Sequence, residues 1–181
     1  VTLRYDLGEI GPQDPLVVFG FSQSAVVASM AMPYLHALGI PSDDLRFVLV
    51  GDTASAQGGF LGTFLDSLPP QDHLLGALAM DLRWMGNLVG ATTPDNLYPV
   101  DVFTIQHDGW ADWPSNVMAS PTADLIAMIG MAINHLEYLG LAPADIGSAS
   151  YVADGLAQYF TIAQPQDWLD TLFAAAVHVF G

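Results

Sequence analysis

The chain contains no cysteine, so no disulfide can staple it and no thiolate can act as nucleophile or metal ligand. Basic residues are nearly as scarce. Lysine and arginine together number 3 against 19 aspartates and glutamates, a formal net charge of -16. A surface of that sign repels phosphate backbones and anionic bilayers, which excludes nucleic acid as a partner. No run of about 18 apolar residues exists to form a transmembrane helix. No basic segment opens the chain as it would in a signal peptide. Internal repeats, low-complexity tracts and dividing linkers are missing too, and 181 residues with 52% hydrophobic content suit a single domain spanning 1–181.

Against these absences one pentapeptide stands out. Gly20-Phe21-Ser22-Gln23-Ser24 follows the apolar run Leu16-Val17-Val18-Phe19 and precedes a helix-forming stretch. A strand that turns sharply into a helix through a small residue, a serine and another small residue lifts that serine onto a nucleophile elbow. Ser22 is the candidate nucleophile. The helix after it aims its positive end at the serine, and the N–H of Gln23 is placed to stabilise an oxyanion. Ser24 stands where many such elbows carry a second glycine, and an ordinary strand-to-helix turn containing serines would look similar in isolation, so partners are required.

A serine nucleophile needs a base and an acid that orients it, and on this kind of elbow they follow in the order Ser, Asp or Glu, His. Val100 to Gln106 alternates as a half-buried strand and runs into His107-Asp108-Gly109-Trp110-Ala111-Asp112-Trp113-Pro114, a turn-rich segment at the carboxyl edge where open α/β sheets bind ligands. Two acids compete there. Asp112, beyond a Gly-x-x turn that can carry it toward a histidine, is preferred, with Asp108 at the strand end as the alternative.

Of His36, His73, His107, His135 and His178, only His135 lies both after these acids and beside a plausible loop. Ser120-Pro121 predicts a helix start. Leu125, Met128, Ile129, Ala132, Ile133 and Leu136 then recur with helical period, predicting a core face that ends near His135. His178 falls inside a C-terminal apolar pattern with Trp168, Leu169, Leu172 and Phe173, which reads as a core or docking helix. Pro69 to Pro94, rich in leucine from Leu74 to Leu88, reads as a buried crossover helix, with a lid or acyl-chain groove as the alternative. Val1 to Tyr5 reads as a strand. Only Asp6 to Pro15 separates it from the elbow strand, fewer residues than the dozen or more a parallel crossover takes, so a segment before the elbow strand is expected to be missing.

Together Gly20-Phe21-Ser22-Gln23-Ser24-Ala25, then Phe47-Val48-Leu49-Val50-Gly51-Asp52 with Gly58-Gly59, then Gln106 to Pro114, then Ala123-Asp124-Leu125 and His135-Leu136-Glu137-Tyr138 resemble the PE-PPE domain of mycobacteria. The resemblance runs from about Leu16 to Tyr138. Where the family usually reads Gly-Asn-Pro-x-Arg, this chain has Asp52-Thr53-Ala54-Ser55-Ala56. It implies a cutinase-like serine α/β-hydrolase, a three-layer fold with a mostly parallel central sheet, and a Ser22, Asp112, His135 triad. Acyl transfer through an acyl-serine would follow, with water (esterase or lipase) or a sugar hydroxyl as acceptor. Envelope lipids, including acylated trehalose, are the implied substrates, and a secreted or cell-envelope location the implied setting. No metal or organic cofactor is implied. A non-catalytic lipid-binding or surface-interaction domain on the same fold is the competing expectation.

Overall fold

The structure, a computed structural model, describes residues 1–67, 92–115 and 119–164. After the short helix α1 (Thr2–Asp6) come β1 (Leu16–Phe21), α2 (Gln23–Ala37), β2 (Leu45–Val50), α3 (Phe60–Ser67) and β3 (Val100–Ile105). They are followed by α4 (Pro121–Ala132), α5 (Asn134–Glu137), α6 (Pro143–Gly147), β4 (Ser150–Asp154) and β5 (Ala157–Ile162). The strands form one sheet in the order β1-β2-β3-β5-β4. All neighbours run parallel except β4, which pairs antiparallel with β5. This is an α/β fold with a mostly parallel central sheet and flanking helices.

Burial explains the arrangement. Parallel strands need crossovers, and α2 supplies the one between β1 and β2. It lays Ala25, Ala28, Met32 and Leu35 on Phe47, Leu49, Val100 and Val102, all removed from water. Each large side chain so buried contributes about 1.5–3 kcal/mol. At the carboxyl ends of the strands a second cluster joins Phe21, Val50, Ile105 and Ile162 to Tyr138. The functional elements meet there. β1 is an edge strand among the described residues, and on its second face Val17 and Phe19 are 54% and 66% exposed.

Two expectations change. Val1 to Tyr5 is not a strand. Its Tyr5 N–H bonds to Val1 O, a local helical bond, and the segment joins no sheet. Nine residues, Leu7 to Pro15, link the end of α1 to β1, and Val1 to Tyr5 needs no parallel crossover.

The apolar line on the helix after Ser120 is not a core face either. Ser120 does cap it, accepting from the Ala123 N–H, and Pro121 opens it. But Leu125, Met128 and Leu136 are exposed, while Ala127 and Gly130 are buried. The helix docks by backbone approach: a Cβ on Gly130 would lie 1.6 Å from the His107 carbonyl oxygen. Only a stripe of small residues permits that. The helical pattern also breaks at Ile133 (φ -116°, ψ -62°), which separates α4 from α5.

The apolar stretch from Leu74 to Leu88, His73, and the pattern from Trp168 to Phe180 with His178 lie outside the described residues. Among the described residues no helix is long and apolar enough to cross a membrane.

Gly130→Ala tests the backbone docking. Alanine favours an isolated helix by about 1 kcal/mol over glycine, yet here the overlap with His107 dominates, and the variant is expected to lose about 1–3 kcal/mol net. Urea denaturation measures it; a stabilised variant would refute the close approach.

Candidate active site

The site begins with the elbow. Ser22 sits between β1 and α2 with φ 55° and ψ -123°, a conformation that L-residues rarely hold unless their surroundings impose it. The surroundings are specific. The Ser22 N–H donates to the Val50 carbonyl at the end of β2. A side chain at Gly20 would meet the Ala25 Cα at 2.6 Å, so the first small flank is a steric requirement. The second is a latch: the Ser24 hydroxyl accepts from the Phe21 N–H and donates to the Phe21 carbonyl, both at 2.8 Å. Glycine at this position would fit the turn without closing it.

The histidine reaches the serine because of the break at Ile133. Had α4 continued without interruption, His135 would have followed its register; instead α5 restarts it. Asn134 anchors the new turn through Nδ2 to the Gln106 carbonyl at 3.2 Å. His135 Nε2 lies 2.7 Å from Ser22 Oγ. Phe21 stacks on the imidazole at 5.4 Å between ring centroids, with Trp110 and Tyr138 edge-on.

The acid that meets His135 is Asp108, and this corrects the preference for Asp112. His135 Nδ1 lies 2.8 Å from Asp108 Oδ2. The turn after β3 curls tightly, with Ala111 N–H and Asp112 N–H both bonded to the Asp108 carbonyl. That helical turn carries Asp112 back rather than forward. Its Oδ2 accepts the His107 N–H at 2.7 Å, and it borders a separate cleft of about 210 Å³ with His107, Pro114 and Ile126. Counting residues could not reveal the direction of the curl, because it follows from His107 taking a positive φ of 66°.

Asp108 is itself fully buried, with three donors around it. Oδ1 accepts the Trp110 N–H at 3.1 Å, and Oδ2 accepts the Tyr138 hydroxyl at 2.8 Å besides facing His135. Tyr138 in turn accepts the Ile105 N–H at 2.8 Å. Burial, and then the Asp108 charge beside it, push the Tyr138 hydroxyl well above the usual tyrosine range, so it stays protonated and donating. Tyr138 is not among the site residues that the sequence motifs mark. The available signal was its spacing of three from His135, which puts both on one side of a helical turn.

Gln23 is the first residue of α2, where backbone N–H groups lack intrahelical partners. It borders a groove of about 430 Å³ that includes Ser22 and is walled by Val26, Val27, Met30, Leu61 and Trp110, with Thr53 also in the lining. Close by, Asp52 is fully buried at the end of β2. It accepts from Thr93 Oγ1 at 2.5 Å and the Ala54 N–H at 3.0 Å, and Thr93 also contacts Ser29 Oγ at 2.8 Å. Burial raises its carboxyl above the ordinary carboxylate range against the lowering effect of those bonds. Among the described residues no three His, Asp or Glu side chains converge as metal ligands.

A parallel-sheet elbow carrying a serine, hydrogen-bonded through a histidine to a buried aspartate, defines the α/β-hydrolase class. The chain belongs to the PE-PPE domain family, whose sequence model matches residues 8–167. It is similar to Esterase PE16 of Mycobacterium tuberculosis (strain ATCC 25618 / H37Rv), 33% identical over 144 residues that cover 77% of this chain and 25% of that protein. PPE family protein PPE28 of the same strain is 31% identical over 160 residues, 85% of this chain and 22% of that protein. PE family protein PE3 of that strain is 33% identical over 130 residues, 68% of this chain and 24% of its own. The chain thus spans about a quarter of the length of the curated relatives it matches. No solved structure matches it.

The buried Asp52 gives a pH-dependent test. Below the unfolded pKa both states hold the proton; above it the unfolded chain releases a proton that the folded state keeps, so folding loses stability as pH rises through that window. Asn removes the titration while preserving an oxygen for the Ala54 N–H. The melting temperature of Asp52→Asn relative to the parent is therefore expected to improve from about pH 4 to about pH 8. A difference that is flat, or that declines with pH, contradicts the raised carboxyl.

Proposed function

We propose that this domain is a serine esterase acting on apolar acyl esters through an acyl-Ser22 intermediate. The observation that carries the proposal is the unbroken hydrogen-bonded chain from Ser22 Oγ through His135 to Asp108, with steps of 2.7 and 2.8 Å. The relative named an esterase supports the same reaction class.

In this reading Ser22 Oγ attacks the ester carbonyl carbon while its proton passes to His135 Nε2. Asp108 holds the Nδ1 proton, fixing the tautomer and stabilising the imidazolium. The oxyanion is met by the Gln23 N–H at the start of α2. Collapse expels the alcohol, which takes the proton from His135. Water then attacks the acyl carbon, gives its proton to His135, and the acid leaves as Ser22 recovers its own. Tyr138 and the Trp110 N–H keep Asp108 aimed at the ring. The apolar wall from Val26 to Met30 favours fatty acyl groups over charged ones. As part of the same proposal, the substrate is a lipid ester of the cell envelope.

Intact-mass analysis after a small fluorophosphonate should show one adduct in the parent and none in Ser22→Ala. Tight lipid binding without an adduct would favour the non-catalytic alternative. Asp108→Asn should lower kcat for a p-nitrophenyl ester by at least about 100-fold, since the amide favours the wrong imidazole tautomer, while Asp112→Asn stays within about threefold. The reverse ranking would return the acid to Asp112.

Transfer to a sugar hydroxyl uses the same acyl-enzyme and differs only in the acceptor. With a long-chain donor and trehalose or an acylated trehalose present, mass spectrometry should detect acylated sugar if the site is a transferase. Free fatty acid alone, at every sugar concentration, leaves a hydrolase.

A further inference from the structure

We infer that the groove along α2 is a single acyl-chain subsite, and that Met30 at its far end sets the chain length the site rewards. The inference rests on the esterase reading and assigns the substrate class of that same site.

Gln23, Val26, Val27 and Met30 stand at i, i+3, i+4 and i+7, one face of the helix that begins at Ser22. The sequence of α2 from Gln23 to Ala37 holds no aspartate, glutamate, lysine or arginine, although the chain carries 19 acids. The opposite wall is Leu61 of α3 and Trp110, whose ring is held edge-on by Phe60 at 5.4 Å. Ser22 and Gln23 put polar groups at the serine end, and Thr53 borders the Leu61 wall, its carbonyl accepting the Leu61 N–H. The carbonyl of an ester therefore has a polar end to occupy, and its chain an apolar one.

Met30 is eight positions beyond Ser22, roughly 12 Å along the helix axis. Carbon–carbon bonds of about 1.5 Å advance a zigzag chain by roughly 1.3 Å each, so that length takes about nine carbons. Past Met30 the same face continues with Tyr34, which is 64% exposed and lies outside the groove. Among the described residues, methylenes within the groove leave water, and those beyond it do not. Transition-state binding then rises with chain length up to the Met30 end and levels off.

The test compares kcat/KM for p-nitrophenyl acetate, octanoate and palmitate. In the parent, the octanoate-to-acetate ratio should be large and the palmitate-to-octanoate ratio near or below one. Met30→Asp places a charge where the chain ends and should lower the octanoate-to-acetate ratio at least about tenfold. Tyr34→Asp puts the same charge one turn further out and should change that ratio less than about twofold. Fluorophosphonate labelling of Ser22 reports that each variant keeps its site, and if Met30→Asp loses labelling, Met30→Trp carries the same expectation by filling the groove.

The subsite is overturned if labelled Met30 variants keep the parental ratio. It is overturned equally if Tyr34→Asp matches Met30→Asp, or if parental kcat/KM climbs unbroken to palmitate. Failure of the parent to be labelled at all would instead sink the esterase reading and, with it, this one.

Discussion

Asp108 has no contact with water, and a buried carboxylate is tolerable only where donors surround it. Its three partners come from different parts of the chain: the Trp110 N–H from its own turn, the Tyr138 hydroxyl from beyond α5, and the His135 ring from α5 itself. Satisfying that one group therefore fixes where α5 lies relative to β3. Tyr138 extends the tie into the sheet by accepting the Ile105 N–H, so the last strand residue, the acid and the imidazole share a rigid frame. Removing the Tyr138 hydroxyl would leave the buried Ile105 N–H without its acceptor, which costs more than the bond itself contributes.

The frame also depends on how closely backbones approach. Ala127 and Gly130 bring α4 against the turn after β3 with no side chain between them, and the break at Ile133 then redirects the chain so that the imidazole points at the elbow. On the other side, the Ser24 latch and the Val50 carbonyl hold Ser22 in its strained conformation. Strain of this kind is retained only when neighbours over-determine it. Here two strands and a helix do so, and Ser22 meets His135 without either side chain having to search for the other.

Around this frame the chain separates charge from apolar surface. The acids that produce the net charge of -16 are absent from α2, and the helix wall that starts at the serine is apolar through Met30. Charge of one sign elsewhere opposes association of copies through exposed apolar positions and repels anionic surfaces. An uncharged, elongated ligand meets no such penalty at the groove.

Local pattern in the sequence was enough to determine the elbow at Ser22, the strand from Val100 to within one residue of its end, the helix start at Ser120-Pro121, and which histidine lies beside Ser22. These features depend on turn chemistry, short-range periodicity and chain order, all of which are written in neighbouring residues. Which of two aspartates, four residues apart, meets the imidazole was decided only by the tertiary structure, because the positive φ at His107 and the curl that follows it turn Asp112 away. The role of Tyr138 required knowing that a carboxyl beside it is buried. The buried face of α4 was misleading for a related reason: Leu125 and Met128 follow a core period, but contact was won by small residues that let backbones touch, and periodicity measures hydrophobicity rather than closeness of approach. Val1 to Tyr5 shows the same limit, since a run of β-favouring residues becomes a strand only where a neighbouring strand offers it hydrogen bonds.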